Sequence, residues 1–228
     1  PLMRHAYQLE FLTPKKVSLQ GLWLGPENPR RAVIWVHGLG STMFSKLAIA
    51  DELVDGDTAV LAFNNRGHDK VASFQRGKAR GYGGSAHEVF TDCIDDIEGA
   101  IRAAKAVGAK EIFLAGHSTG CQKSIYWAAK KGTGVKGIIL LAPISDYAAE
   151  KKLGGAKKIA AAKKLAQKLM TAGKQHQLVP STAGDWYLMA DAQRFLSLYS
   201  GESQEEIFTY WAPERVPKTL RSVKLPIL

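Results

Sequence analysis

The five residues Gly116-His117-Ser118-Thr119-Gly120 place one hydroxyl between two glycines at a fixed spacing. A serine framed in this way, at the end of a strand and the start of a helix, sits on a tight, strained turn. Its oxygen can attack an acyl carbon and form a covalent acyl intermediate. That requires a base to take its proton and backbone N–H groups to bind the developing oxyanion. Glycine is needed at 116 and 120 because strand and helix crowd each other there. Three fixed positions also recur by chance, so the flanking elements decide the reading. The plain alternative is a serine that caps a helix N-terminus, which requires no glycine two residues to either side.

The flanking elements are of the required kind. Residues 111–115 form a short apolar strand, and the pattern from Thr119 to about Lys131 predicts a helix. Upstream, residues 31–36 and 58–63 are continuous apolar runs, the pattern of strands covered on both faces, and residues 136–141 are a further such run. Their C-terminal ends carry His37-Gly38-Leu39-Gly40, Asn64 to Asp69, and Ala142 to Asp146. Residues 7–12 and 17–24 alternate with period two across a turn at Thr13 to Lys16, as in an antiparallel pair at a sheet edge.

Helices are expected over 45–53 and from Ser85 onward. Ser85-Ala86-His87-Glu88 has the form of a capping box. Val89, Phe90, Cys93, Ile94, Ile97 and Ile101 then form an apolar stripe, with Asp92, Asp95, Asp96 and Glu98 loading the early turns with the sign the helix dipole favours. Lys70 to Gly84 has no period and is expected to be a loop. The alternation predicts an α/β fold, a doubly wound and mostly parallel sheet with an antiparallel N-terminal edge. Ligands bind beyond the C-terminal strand ends of such sheets, where the four loops converge.

Residues 1–146 are expected to form this core, and 147–217 a mainly helical insertion that caps the cleft. Leu153, Ile159, Ala162, Leu165, Ala166 and Leu169 are set on one face of its first helix and paired lysines on the other. A turn-rich stretch, Gln177 to Asp185, separates that helix from Trp186 to Tyr199 and from Glu205 to Trp211. Residues 218–228 are expected to begin the next core strand. A chain that ends there is expected to be truncated within a longer protein.

The net charge is +10 over 228 residues, but residues 150–168 alone hold seven lysines and one glutamate. The excess is local, and no nucleic-acid-binding motif accompanies it. A solvated helix face is the first reading, then attraction of anionic substrates, and last a weak membrane contact without stable insertion. No apolar run reaches the roughly 20 residues that span a bilayer. Cys93 and Cys121 are expected to be packed thiols in a cytoplasmic protein, and neither a metal nor a cofactor is expected.

Taken together, His37 to Gly40, Arg66-Gly67-His68 and Gly116 to Gly120 resemble the α/β-hydrolase superfamily. More narrowly, Gly116 to Gln122, Ala142 to Asp146 and Phe195 to Tyr199 with Glu205, Glu206 and Phe208 resemble its branch of fungal siderophore esterases, which cleave fusarinine-type esters. The resemblance implies an α/β-hydrolase fold and a serine esterase for a small-molecule ester, with thioesterase or lipase chemistry, or ligand binding without turnover, as alternatives. It implies Ser118 as nucleophile and the amides of Leu39 and Thr119 as oxyanion hole.

The triad acid and histidine of the superfamily follow later strands, so both are expected beyond residue 228. Asp146 is a lesser candidate for the acid and His176 for the base. His117 and His37 are expected to pack and to brace the oxyanion loop, and Arg66 and His68 to fix their turn. Trp186, Tyr187, Trp211 and Tyr210 are candidates for the substrate pocket or for core packing.

Overall fold

A computed structural model describes residues 5–153, 155–179 and 189–228. Strands β1 (Ala6–Leu12) and β2 (Ser18–Leu24) form an antiparallel pair, and β3 (Arg31–Val36) opens the parallel part of the sheet. Helix α1 (Leu47–Asp51) leads to β4 (Thr58–Phe63), after which β5 (Ala72–Arg76) and β6 (Ala79–Gly83) form a separate hairpin. Then follow α2 (Cys93–Val107), β7 (Glu111–His117), α3 (Thr119–Lys130) and β8 (Gly137–Leu141). The main sheet has the order β1-β2-β4-β3-β7-β8, antiparallel where β2 meets β4 and parallel from β4 to β8.

The apolar runs of β3 and β4 are continuous because the sheet is covered on both faces. Ala32, Ile34 and Val36 enter the cluster under α2 and α3, while Val33 and Trp35 enter the cluster on the opposite face with Ala50 of α1. This doubly wound arrangement fixes the C-terminal ends of β3, β4, β7 and β8 along one edge.

Helices α4 (Asp146–Lys152), α5 (Ala156–Thr171) and α6 (Ala192–Tyr199) come after β8, with the two-residue strands β9 (Leu178–Val179) and β10 (Ala190–Asp191) pairing between them. Ile159, Ala162, Ala166 and Leu169 of α5 pack on Phe195, Leu198 and Tyr199 of α6 as a second hydrophobic cluster. Finally α7 (Lys218–Ser222) precedes a stretch that lies along β8: the Ile138 amide donates to the Pro226 carbonyl at 2.9 Å, and Ile227 bridges Ile138 in parallel.

Five expectations change. Residues 70–84 are not a plain loop, since most of them form the β5–β6 hairpin, turned at Gly77 with φ 57°. The Ser85 to Glu88 box caps no helix: α2 begins at Cys93 after a 3-10 turn, and the Glu88 carboxylate is turned inward to Lys123 and Arg194. Leu153 ends α4 with 82% of its surface exposed, and Leu165 is also exposed, so neither shares the buried face of α5. Glu205 to Trp211 form turns and not a helix. The last segment begins with a helical turn before it reaches the sheet. Trp186 and Tyr187 lie outside the described residues.

Candidate active site

Ser118 joins β7 to α3 with φ 55° and ψ −124°, outside the regions that non-glycine residues ordinarily occupy. It stands at the N-cap position of α3, yet its side chain caps no backbone amide. Its hydroxyl is therefore not spent on the helix. Space explains the two glycines. A Cβ on Gly116 would lie 2.5 Å from the Gly120 carbonyl oxygen, and one on Gly120 would run into the Val36 carbonyl oxygen at the end of β3.

The loop after β3 comes up against this turn. A Cβ on Gly38 would stand 3.0 Å from Ser118 Cβ and 3.4 Å from its Oγ. Gly40, at φ 61°, reverses the loop so that the Ser41 amide donates to the Gly38 carbonyl at 3.2 Å. Leu39 follows Gly38 in this loop, and Thr119 is the first residue of α3. Thr119 has no intrahelical acceptor, as at any helix N-terminus. The Leu39 side chain packs on the second hydrophobic cluster, so the helical segment meets the loop there.

His37 braces the loop from below. It is 1% exposed; its Nδ1 donates to the Gly38 carbonyl at 2.9 Å, and its Nε2 accepts from the Asn65 amide at 3.3 Å. Burial, aided by the Lys123 charge, lowers its pKa to about 3, so the ring is neutral at physiological pH. This pattern fixes the proton on Nδ1 and removes His37 as a base. His117 lies near-parallel to Trp35, 6.4 Å between ring centres, with its pKa lowered by burial. Cys121 donates to the Gly116 carbonyl at 3.1 Å, and burial pushes its thiol up to about 12, so it serves the turn as a thiol. Cys93 is likewise unpaired and buried.

Residues 27–200 match the profile of the serine aminopeptidase S33 family. The chain belongs to that family. No curated protein matches the sequence. Among solved structures, this S33 family member is similar to the esterase Pf2001 of Pyrococcus furiosus, 22% identical with a TM-score of 0.52 over 69% of this chain and 59% of that one. It is also similar to the siderophore hydrolase EstB from Aspergillus fumigatus, 17% identical with a TM-score of 0.61 over 90% of this chain and 67% of that one. For a carboxyl esterase of Bacillus coagulans the values are 18%, 0.51, 77% and 53%. The chain therefore spans between 53% and 67% of the length of these three solved chains. At such identities the likeness shows the fold, which is that of the α/β hydrolases.

The remaining candidates of this S33 family member stand away from Ser118 or in other company. Asp146 opens α4, and its buried Oδ2 has no hydrogen-bond partner. Desolvation pushes its pKa up to about 7, with Glu205 adding to the rise and Arg194 opposing it. No imidazole among the described residues bonds it. His176 donates to Asp191 Oδ2 at 3.0 Å, as does His87, and both histidines line a cavity of about 430 Å³ with Phe74 and Tyr82. Trp211 packs edge-to-face on Tyr147 and lines a cavity of about 510 Å³ whose walls do not include Ser118. Tyr210 is half-exposed and stacks on Phe208. Arg66 is buried and held by Asp92 at 3.1 Å, Asp95 at 3.0 Å and Asp96 at 2.7 Å, which fixes the turn after β4; His68 bonds Asp69.

Sequence reasoning missed a buried ionic cluster. Lys123 and Arg194, both 0% exposed, grip Glu88 from two sides, and Arg194 also pairs with Glu205 at 2.5 Å. The available signal was Lys123 itself, a charge set within α3 among Cys121, Ile125, Tyr126 and Trp127.

Proposed function

We propose that this chain is a serine hydrolase that cleaves carboxylic esters through an acyl-enzyme on Ser118. The observation that carries the reading is the strained Ser118 backbone together with a hydroxyl that caps nothing and has Gly38 against it. Attack by Oγ, its proton passing to a general base that then protonates the departing alcohol, forms the bond to the acyl carbon and pushes its carbonyl electrons onto oxygen. The amides of Leu39 and Thr119 then hold the oxyanion until the alcohol leaves, and water releases the acid. Helices α4 to α6 act as a cap, which the packing of Leu39 on their cluster supports. The substrate is a small-molecule ester, and the similarity to an esterase and a siderophore hydrolase favours an ester over a peptide. The two buried thiols fit a cytoplasmic location.

A fluorophosphonate probe should label Ser118, and p-nitrophenyl acetate should be hydrolysed in a way that Ser118→Ala abolishes. A second reading, binding without turnover, is favoured by one observation: among the described residues no imidazole is hydrogen-bonded to Ser118. A protein that binds esters but resists the probe and releases no p-nitrophenol would decide for it. Amino-acid p-nitroanilides test the peptidase alternative, and rates on them above those on esters would overturn the ester assignment.

A further inference from the structure

The ionic cluster and the oxyanion loop are joined by a continuous line of polar contacts. Arg194 of α6 meets Glu88 Oε2 at 2.8 Å, and Glu88 Oε1 meets Lys123 Nζ at 2.5 Å. Lys123 lies on α3, five residues after Ser118, and its Nζ donates to Asn65 Oδ1 at 3.2 Å. The same Asn65 oxygen accepts from the Gly67 amide at 2.9 Å, so the side chain is held from two sides. The Asn65 backbone N–H then donates to His37 Nε2, and His37 Nδ1 donates to the Gly38 carbonyl. Gly38 is the residue that abuts Ser118.

We infer that Lys123 is a positioning residue for the proposed acyl transfer: anchored by Glu88, it sets the oxyanion loop through Asn65 and His37, and Arg194 ties that setting to the helical segment. This inference rests on the ester-hydrolase reading given above.

Three physical points support it. A lysine with no exposed surface is costly to bury, so it persists only where a charge and further hydrogen bonds compensate it. Here Glu88 supplies the charge; burial pushes its carboxyl up, but Lys123 and then Arg194 outweigh that, and the net shift is downward. Second, the neutral His37 has one donor and one acceptor, and both are committed in this line, so a displaced Asn65 frees the ring and with it the Gly38 carbonyl. Third, an oxyanion donor acts only when preorganised, and a displacement of about 1 Å costs on the order of 100-fold in rate.

The test uses Lys123→Met, which removes the ammonium while Glu88 keeps Arg194, and Asn65→Ala, which breaks the line without touching a charge. In the full chain, kcat for a p-nitrophenyl ester is expected to fall at least tenfold in each variant, with KM within threefold. Amide exchange at residues 38–41 is expected to rise at least tenfold while the amides of β3 and β7 keep their protection. A folded variant with kcat within twofold of the parent overturns the inference, as does exchange that rises uniformly across the sheet. If Lys123→Met does not fold, Asn65→Ala decides. If the parent protein neither reacts with a fluorophosphonate nor turns over esters, the hydrolase reading fails; the exchange measurement then still decides whether Lys123 sets the loop.

Discussion

Three residues meet at the turn after β7, and each is there for a spatial reason. Gly116 and Gly120 allow β7, α3 and the end of β3 to approach, and Gly38 allows the loop after β3 to rest on Ser118. Gly38→Ala would put a methyl group 3.0 Å from Ser118 Cβ, a distance at which one of the two must shift. Steady-state kinetics should show at least a tenfold loss of kcat/KM, at a cost in denaturant stability of about 1 kcal/mol. Asp146 gives a pH test. Its folded-state pKa, about 7, stands above the ordinary carboxylate value, so ionisation costs stability: the contribution is intact below about pH 4 and is lost as pH rises through 7. Asp146→Asn cannot ionise. Its melting temperature should exceed that of the parent above pH 7, with the gap closing as pH falls toward 4. If Asp146 were the triad acid, the same variant would lose on the order of 10⁴ in kcat.

At the scale of elements, the strands were legible because a sheet covered on both faces leaves unbroken apolar runs, as in residues 31–36 and 58–63. The hairpin at 72–83 was not, because its residues are mostly exposed and show no alternation for a buried face to impose. Glu88 shows tertiary contacts overriding a local motif: two buried cations draw its carboxylate away from the capping role that its spacing from Ser85 suggests. The Ser118 turn was legible because it is local in sequence. The Arg194–Glu88–Lys123 cluster was not, because its members come from three distant segments. Breaking that cluster should be costly: Arg194→Met strands Glu205 with Ser197 and leaves Glu88 on Lys123 alone. Urea unfolding is expected to show a loss of about 3–5 kcal/mol.

At the scale of the molecule, the charge of the chain and its proposed chemistry are separate. Lys157, Lys158, Lys164 and Lys168 stand on the exposed side of α5, opposite the face that packs on α6. Reversing all four to glutamate should change stability by less than about 1 kcal/mol and leave kcat on a neutral ester within twofold, as a solvated face requires. A selective loss of activity on anionic esters would instead give these lysines a steering role. Among the described residues no helix is long and apolar enough to cross a membrane. The proposed chemistry rests on the serine at the convergence of four strand ends. The measurement that bears on it most directly is mass spectrometry of the full chain after exposure to a fluorophosphonate. One phosphonyl adduct is expected, on the peptide containing Ser118, absent from Ser118→Ala along with ester turnover. Equal labelling and turnover in Ser118→Ala would contradict it.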